Sequence, residues 1–330
     1  MLYYKPMHKR VTPLADNSPL EAGLVIAGHG RHVWVETTDG RRLICHPRGK
    51  KSQTVVGDQV LWQATQDEGT IEKVLPRRNL FYRQDEIRTK LFAANIDQVL
   101  ILIAAEPEFS ESQLTRALIA AQAEKIQAVI VLNKQDLSPL FERAWERLSP
   151  YRAMGYTVLP MALKPRAQAN EDTPTDNSIG SLDSLEAVLQ GKTSLILGPS
   201  GAGKSTLINR LVPQAHVLTQ EISTALNSGK HTTTSTTLYW QDASKTTALI
   251  DSPGFQEFGL HHIEPMHLAG LMPDIHAHAG ACKFYNCSHL HEPGCGVLEA
   301  FKHEAAVGSI TAQRYKIYCD LFAELSQSRY

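Results

Sequence analysis

The stretch LILGPSGAGKSTLINRL at 195–211 begins past the middle of a 330-residue chain, and a second landmark, VIVLNKQD at 129–136, precedes it. GPSGAGKST matches G-x-x-x-x-G-K-[ST], with Gly198, Gly203, Lys204 and Ser205 at the defining positions. It follows an apolar run and opens a helical pattern, the context this loop requires. Across Gly198, Pro199, Ser200, Gly201, Ala202, Gly203, Lys204, Ser205 and Thr206, the glycines let the backbone curl until several N–H groups converge on a β-phosphate. The helix N-terminus adds its positive end. Lys204 is placed to reach the β/γ oxygens and Ser205 to ligate Mg²⁺.

A phosphate loop alone does not choose between ATP and GTP. In NKQD, the Asp136 carboxylate can accept from N1–H and the exocyclic N2–H₂ of guanine, a donor pair that adenine lacks. Asn133 can contact the far side of the base and the stem of Lys134 can lie along its face, with Gln135 between them in the turn. LIDSPG at 249–254 supplies another wall: Asp251 at a strand end for a water-mediated Mg²⁺ contact, and the Gly254 N–H for the γ-phosphate. The polar loop SGKHTTTST at 228–236 offers Thr233 or Thr234 as a threonine that closes on Mg²⁺ and releases after hydrolysis. The order is NKxD, phosphate loop, threonine loop, DxPG, whereas an uncut GTPase domain runs phosphate loop, threonine loop, DxxG, NKxD. Joining the old ends through 163–192 and cutting elsewhere keeps every wall in place, because termini of such domains often lie close together. The expectation is a circularly permuted G domain. Phe255 follows DxPG where a water-orienting glutamine would stand. His231, beside the threonines, is the alternative that spacing offers, and an exposed loop histidine reads equally well there.

The flanks differ in kind. Residues 21–80 read as five short strands, GLVIAG, HVWVETT, RRLICH, QVLWQATQ and TIEKVLP, parted by turn signals such as Asp39-Gly40 and Gly57-Asp58. Such spacing predicts a small barrel, OB-like or SH3-like. Net charge is −1 overall, yet residues 1–90 hold 15 Lys/Arg against 10 Asp/Glu, with five cations inside RRLICHPRGKK at 41–51. That stretch is either a face aimed at a polyanion or a solvated mixed-charge hairpin. From 91, apolar strands alternate with helices, including one capped by Ser110 and one over FERAWERLSPYRAMG closed by Gly155, which predicts a parallel sheet covered on both faces. Residues 164–181 lose periodicity and read as a mobile loop. The division expected is a flexible tail over 1–20, an OB-like barrel over 21–85, a permuted G domain over 86–260 and a mostly helical domain over 261–330.

The N-terminal stretch has no apolar run after its charges, and the longest such run, VLILIAA at 99–105, is too short to span a bilayer, so a cytoplasmic location is expected. Three of five cysteines fall within 282–295. CKFYNCSHLHEPGC offers Cys282, Cys287, His289 and Cys295 as ligands of a closed, structural Zn²⁺, with His291 as a competitor at the same turn.

Taken together, GDQV, IEKVLPRRN, NKQD, GPSGAGKST, GKHTTTST, DSPGFQEFGL and CKFYNCSHLHEPGC resemble the RsgA (YjeQ) family of small-ribosomal-subunit biogenesis GTPases, over essentially the full length. The resemblance implies an OB domain, a permuted G domain and a zinc domain in one monomeric chain. It implies GTP/GDP with Mg²⁺ and one structural Zn²⁺ as cofactors, with Cys282, Cys287, His289 and Cys295 as the zinc ligands and His231 as the catalytic histidine. It further implies binding of the 30S subunit late in maturation, through 16S rRNA near the decoding region, with subunit-stimulated hydrolysis driving release. An RNA-docking assembly factor whose nucleotide only modulates affinity is the competing reading. One departure is Met161-Ala162 where a Ser-Ala type guanine-contacting turn is usual; the Ala162 N–H is left to meet the guanine O6 without a serine brace.

Overall fold

The computed structural model describes residues 19–29, 32–49, 53–65, 68–163, 182–215, 236–252, 258–302 and 310–327. Residues 1–18 of the tail expected over 1–20, the whole of the loop over 164–181, the threonine loop with His231, Thr233 and Thr234, and Gly254 lie outside them.

Strands β1 (Glu21–His29), β2 (His32–Thr37), β3 (Arg42–Pro47), β4 (Gln59–Ala64) and β5 (Gly69–Val74) close into a barrel in the order β1-β2-β3-β5-β4. The β1–β4 pairing shuts the ring, and β3 lies parallel to β5 while its other pairs are antiparallel. This is the OB arrangement. Alternating residues fill the interior with Val25, Val33, Val35, Cys45, Val60, Trp62 and Ile71.

The nucleotide-domain sheet is built from β8 (Gln98–Ala104), β9 (Gln127–Asn133), β10 (Thr157–Pro160), β11 (Thr193–Leu197), β12 (Thr236–Trp240) and β13 (Ala248–Asp251), in the order β10-β9-β8-β11-β13-β12. All neighbours are parallel except β12, which runs antiparallel to β13. Every residue of β8 is buried, as a strand covered on both faces requires. Helix α1 (Glu111–Ala123) packs on β8 and β9, with the Ser110 hydroxyl accepting from the Gln113 N–H at its N-terminus. The single helix expected over 141–155 is two, α2 (Leu140–Arg147) and α3 (Ser149–Ala153). Pro150 has no N–H to continue the ladder, so the axis breaks at Leu148 and restarts with proline in the first turn. Helix α4 (Leu182–Leu189) precedes β11, and α5 (Lys204–Leu211) follows it.

The barrel and this sheet are continuous. β1 pairs antiparallel with β12, Ala27 opposite Thr237 and Gly28 opposite Thr236, so eleven strands form one hydrogen-bonded surface. Beside the joint, the buried carboxylate of Glu36 accepts from Arg42 Nε, Trp240 Nε1 and Lys245 Nζ, each at 2.8 Å. Arg42, expected among a cluster of surface cations, is exposed but committed to this buried carboxylate. Arg41 pairs with Glu21 and Asp39, and Arg48 with Glu72. Lys50 and Lys51 lie outside the described residues.

Between the two units stands a hairpin that periodicity did not reveal, β6 (Leu80–Gln84) and β7 (Thr89–Ala94), straddling the expected boundary at 85/86. It holds the segment that leaves DxPG. Gln84 N–H donates to the Gly259 carbonyl, His261 N–H to the Gln84 carbonyl, and Gly259 N–H to Asp85 Oδ1, while Phe81 and Phe92 pack against Phe258.

Beyond it, a 3₁₀ helix (Pro265–Leu271), α6 (Pro273–Ala279), α7 (Gly296–Lys302) and α8 (Ala312–Leu325) make the last unit. Arg314 on α8 is buried and docks it: Nε and Nη2 reach the Asp274 carboxylate at 2.7 and 2.9 Å, and Nη1 reaches the Thr115 hydroxyl on α1 at 2.6 Å. The adjacent Arg116 joins the Phe258 carbonyl at 3.2 Å to Glu324 at 2.8 Å. No helix among the described residues is long and apolar enough to cross a membrane.

Candidate nucleotide and metal sites

The parallel strands β9, β8, β11 and β13 end on the same side of the sheet, where open α/β sheets hold their ligands. From the end of β11 the chain turns through Gly198 to Gly203 and enters α5 at Lys204. Two glycines there cannot be exchanged. A Cβ on Gly198 would stand 2.2 Å from the Leu102 carbonyl oxygen, and Gly203, at φ +107°, would place one 2.5 Å from the Asn133 amide. Ala202 is buried, whereas Ser200, Gly201 and Ser205 face solvent at the mouth of the loop.

Asn133, at the end of β9, meets the phosphate loop directly. Its Nδ2 donates to the Ala202 carbonyl at 2.8 Å and its Oδ1 accepts from the Leu163 N–H at 3.1 Å. The residue expected at the base is thus also the fastener between NKQD and the loop expected to cradle phosphate. Lys134 adopts a left-handed φ of +68°, which turns the chain. Gln135 N–H donates to the Met161 carbonyl at 2.9 Å, and Met161 N–H to the Leu132 carbonyl at 2.8 Å. Residues 161–163 therefore lie against NKQD, braced by Asn133 and Gln135 where a serine brace is usual. Ala162 faces solvent and Asp136 is half-buried.

On the other side, Asp251 ends β13 in register with Ile196 of β11, and the Ser252 hydroxyl donates to the Ile196 carbonyl at 3.2 Å. Lys204 Nζ donates to the Gly198 carbonyl at 2.8 Å. Burial raises the Asp251 pKa to about 6, with Lys204 pulling it the other way, and burial lowers that of Lys204 against the pull of Asp251. Asp251 Oδ1 is buried without a hydrogen-bond partner. A buried carboxylate oxygen with no protein partner suits Mg²⁺, a hard cation served by oxygen ligands.

The second cluster lies in the C-terminal unit. The ligand atoms of Cys282, Cys287, His289 and Cys295 all fall within 4.8 Å of one another. His289 Nδ1 is 3.4 Å from Cys282 Sγ and 3.5 Å from Cys295 Sγ, and those two sulfurs are 3.9 Å apart. A tetrahedral zinc centre requires edges of about 3.6 Å (N to S) and about 3.8 Å (S to S), so three thiols and an imidazole fit it with no position left over. His291 is exposed and outside the cluster. The turn is held by the Glu292 carboxylate, which accepts from the Ser288 N–H and hydroxyl and from the Leu290 N–H, while Tyr315 and Tyr318 hydroxyls donate to the His289 and Ser288 carbonyls.

A family model for the RsgA GTPase matches residues 74–261, more than half of the chain. The chain belongs to the RsgA family of GTPases. It is accordingly a GTP hydrolase of the small-ribosomal-subunit biogenesis family. Among curated relatives, the small ribosomal subunit biogenesis GTPase RsgA of Variovorax paradoxus (strain S110) is 68% identical over 311 residues, 94% of each chain. That of Paraburkholderia phymatum is 50% identical over 307 residues, 92% of each. The crystal structure of YjeQ from Thermotoga maritima superposes with a TM-score of 0.68 at 28% identity, covering 94% of this chain and all of that one. YloQ, a circularly permuted GTPase, gives 0.64 at 26% identity, covering 97% of this chain and all of YloQ. The RsgA fold thus carries the barrel, the permuted sheet and the C-terminal Cys/His cluster expected from the sequence. What motif spacing did not contain was the Asn133 fastener, the Glu36 hub and the β6–β7 hairpin. The first had a signal, a glycine at 203 whose missing side chain leaves room for an amide.

Proposed function

We propose that this GTPase binds the 30S subunit late in its maturation and hydrolyses GTP when the subunit's rRNA has organised its catalytic loop, the hydrolysis releasing it. The carrying observation is the Asn133–Ala202 hydrogen bond, which supports one guanine nucleotide spanning NKQD and the phosphate loop. In this reading Asp136 accepts from the guanine N1–H and N2–H₂, the Lys134 stem lies on the base, and the Ala202–Thr206 backbone and Lys204 hold the phosphates. Ser205, Thr233 or Thr234 and, through water, Asp251 would hold Mg²⁺, which would neutralise charge on the β- and γ-phosphates. Gly254 senses the γ-phosphate, and His231 orients the attacking water in place of the glutamine that Phe255 displaces. Cys282, Cys287, His289 and Cys295 hold one structural Zn²⁺ that staples a domain with little core of its own. The working division is a tail, a barrel to about 85, a G domain to 260 and a zinc domain beyond it. The protein acts as a cytoplasmic monomer on 16S rRNA. GTP turnover measured with and without 30S subunits tests this; equal rates would refute subunit-timed hydrolysis.

Phe255 after DxPG favours a second reading, in which hydrolysis is slow and nucleotide chiefly tunes docking. It expects His231→Ala to leave subunit maturation intact in cells, whereas the first reading expects maturation to stall.

A further inference from the structure

Between two members of the Cys/His cluster, the half-buried Cys282 and the buried Cys287, four consecutive residues, Lys283, Phe284, Tyr285 and Asn286, face solvent. Tyr285 is fully exposed and Phe284 is 40% exposed, which makes them adjacent members of a short set of exposed large hydrophobic side chains among the described residues. Single exposed apolar residues are ordinary, but two neighbouring aromatics on a closed loop are not explained by folding. The loop does not hang free. Its ends are cluster residues, and Lys283 N–H donates to the Gly294 carbonyl at 2.9 Å, tying it to the strand of chain that returns to Cys295. Lys283 Nζ lies 5.7 Å from the centre of the Phe284 ring, a cation beside an aromatic face. From Ile275 to His291 the sequence contains no carboxylate, and the acid that follows, Glu292, is turned inward onto the Ser288 and Leu290 amides.

We propose that Phe284 and Tyr285 form a stacking platform for unpaired bases of RNA, with Lys283 contacting the adjoining phosphate. The proposal rests on the reading of this chain as a subunit-binding GTPase and names what its C-terminal unit reads. Unpaired bases offer π-faces that aromatic side chains cover irrespective of sequence, and a single neighbouring ammonium suits the backbone between them. Because the loop is anchored at both ends, the rings are presented with little ordering left to do on binding. A protein partner is the competing occupant. The Lys283 ammonium beside the Phe284 ring and the carboxylate-free stretch from Ile275 to His291 favour a polyanion over a protein surface.

The experiment compares wild type, Tyr285→Ala, Phe284→Ala, the double variant and Tyr285→Phe for binding to 30S subunits. Zinc content and subunit-free GTP turnover serve as checks that the fold is kept. The expected result is a loss of affinity of roughly 10-fold for each alanine, more for the pair, and near-complete retention in Tyr285→Phe, since a phenyl ring still stacks. A photo-reactive benzoyl-phenylalanine at position 285 is expected to crosslink to 16S rRNA. Unchanged affinity in the double variant, with wild type binding normally, overturns the platform and leaves the proposed function standing. Crosslinks to a ribosomal protein alone also overturn it. Failure of wild type to bind subunits strikes the proposed function instead.

Discussion

The Asn133 side-chain amide donates to the Ala202 carbonyl across 69 residues of chain, joining the loop proposed to read the base to the loop proposed to hold the phosphates. Its carbonyl end simultaneously accepts from Leu163, so one buried side chain positions three segments. Replacing Asn133 with alanine leaves a buried carbonyl and a buried N–H unpaired, at about 1–3 kcal/mol. GTP affinity is expected to fall at least about 10-fold, measured by nucleotide titration. Asn133→Asp keeps the acceptor for Leu163 and loses the donor to Ala202, and is expected to be at least as damaging. An Asn133→Ala protein that binds GTP as wild type does would remove the fastener from the account.

Asp136→Asn tests the base. An amide cannot accept two hydrogen bonds in the geometry a carboxylate allows, and it turns a donor toward guanine's own donors. GTP binding is expected to drop by about 100-fold or more, with ATP still not bound. Retained GTP preference in competition binding would place the base elsewhere.

Glu36 ties barrel to sheet through three donors. Burial works to raise its pKa, but the bonds from Lys245, Arg42 and Trp240 outweigh it and hold it below 4.5. Its stabilising contribution is therefore complete above about 4.5, and it is lost as pH falls through the lower folded value. Glu36→Gln is expected to cost about 1–3 kcal/mol at pH 7, less than for a wholly enclosed pair because Arg42 and Lys245 reach solvent. The gap between variant and wild type should narrow in denaturant melts at acid pH. A gap constant from pH 7 to pH 3 would remove the charge from the joint.

Arg314 sits buried with its fork on Asp274 and its third arm on Thr115. Arg314→Met strands the Asp274 carboxylate, and a loss of about 3–5 kcal/mol is expected. Arg314→Lys keeps the charge but not the planar fork and is expected to recover less than half. Thermal unfolding with a probe in the C-terminal unit reads both. Equal stability of the lysine variant and wild type would show that charge alone suffices.

Metal analysis is expected to find one zinc per chain, falling below one in Cys287→Ala. Chelation should lower the melting temperature of the C-terminal unit while GTP binding persists. Zinc-free protein with unchanged melting would make the cluster incidental.

Much of this molecule was legible from its residues, and the reason is local chemistry. Phosphate loops, guanine-reading turns and thiolate clusters each need particular side chains at short spacing, so GPSGAGKST, NKQD and CKFYNCSHLHEPGC announce themselves. Barrel strands did so through alternation around Asp39-Gly40 and Gly57-Asp58. Less legible were relationships between distant residues. Nothing around Glu36 predicts Trp240 and Lys245 as partners, and Asn133 reads as a base contact until Ala202 is seen beside it. The hairpin over 80–94 was missed because its residues, such as Phe81 and Phe92, pack on Phe258 of another unit. Its periodicity serves a surface that the stretch itself does not contain.

Strand β1 closes the barrel through β4 and also completes the larger sheet through β12. A shortened enzyme starting after Val74 would not simply lack the barrel. It would bare the backbone amides and carbonyls of β12 along an open border, inviting a second copy to supply the missing strand. Loss of ribosome binding in such a truncation would then report self-association as readily as the absence of the barrel, and point substitutions on the barrel's outer face are the cleaner instrument.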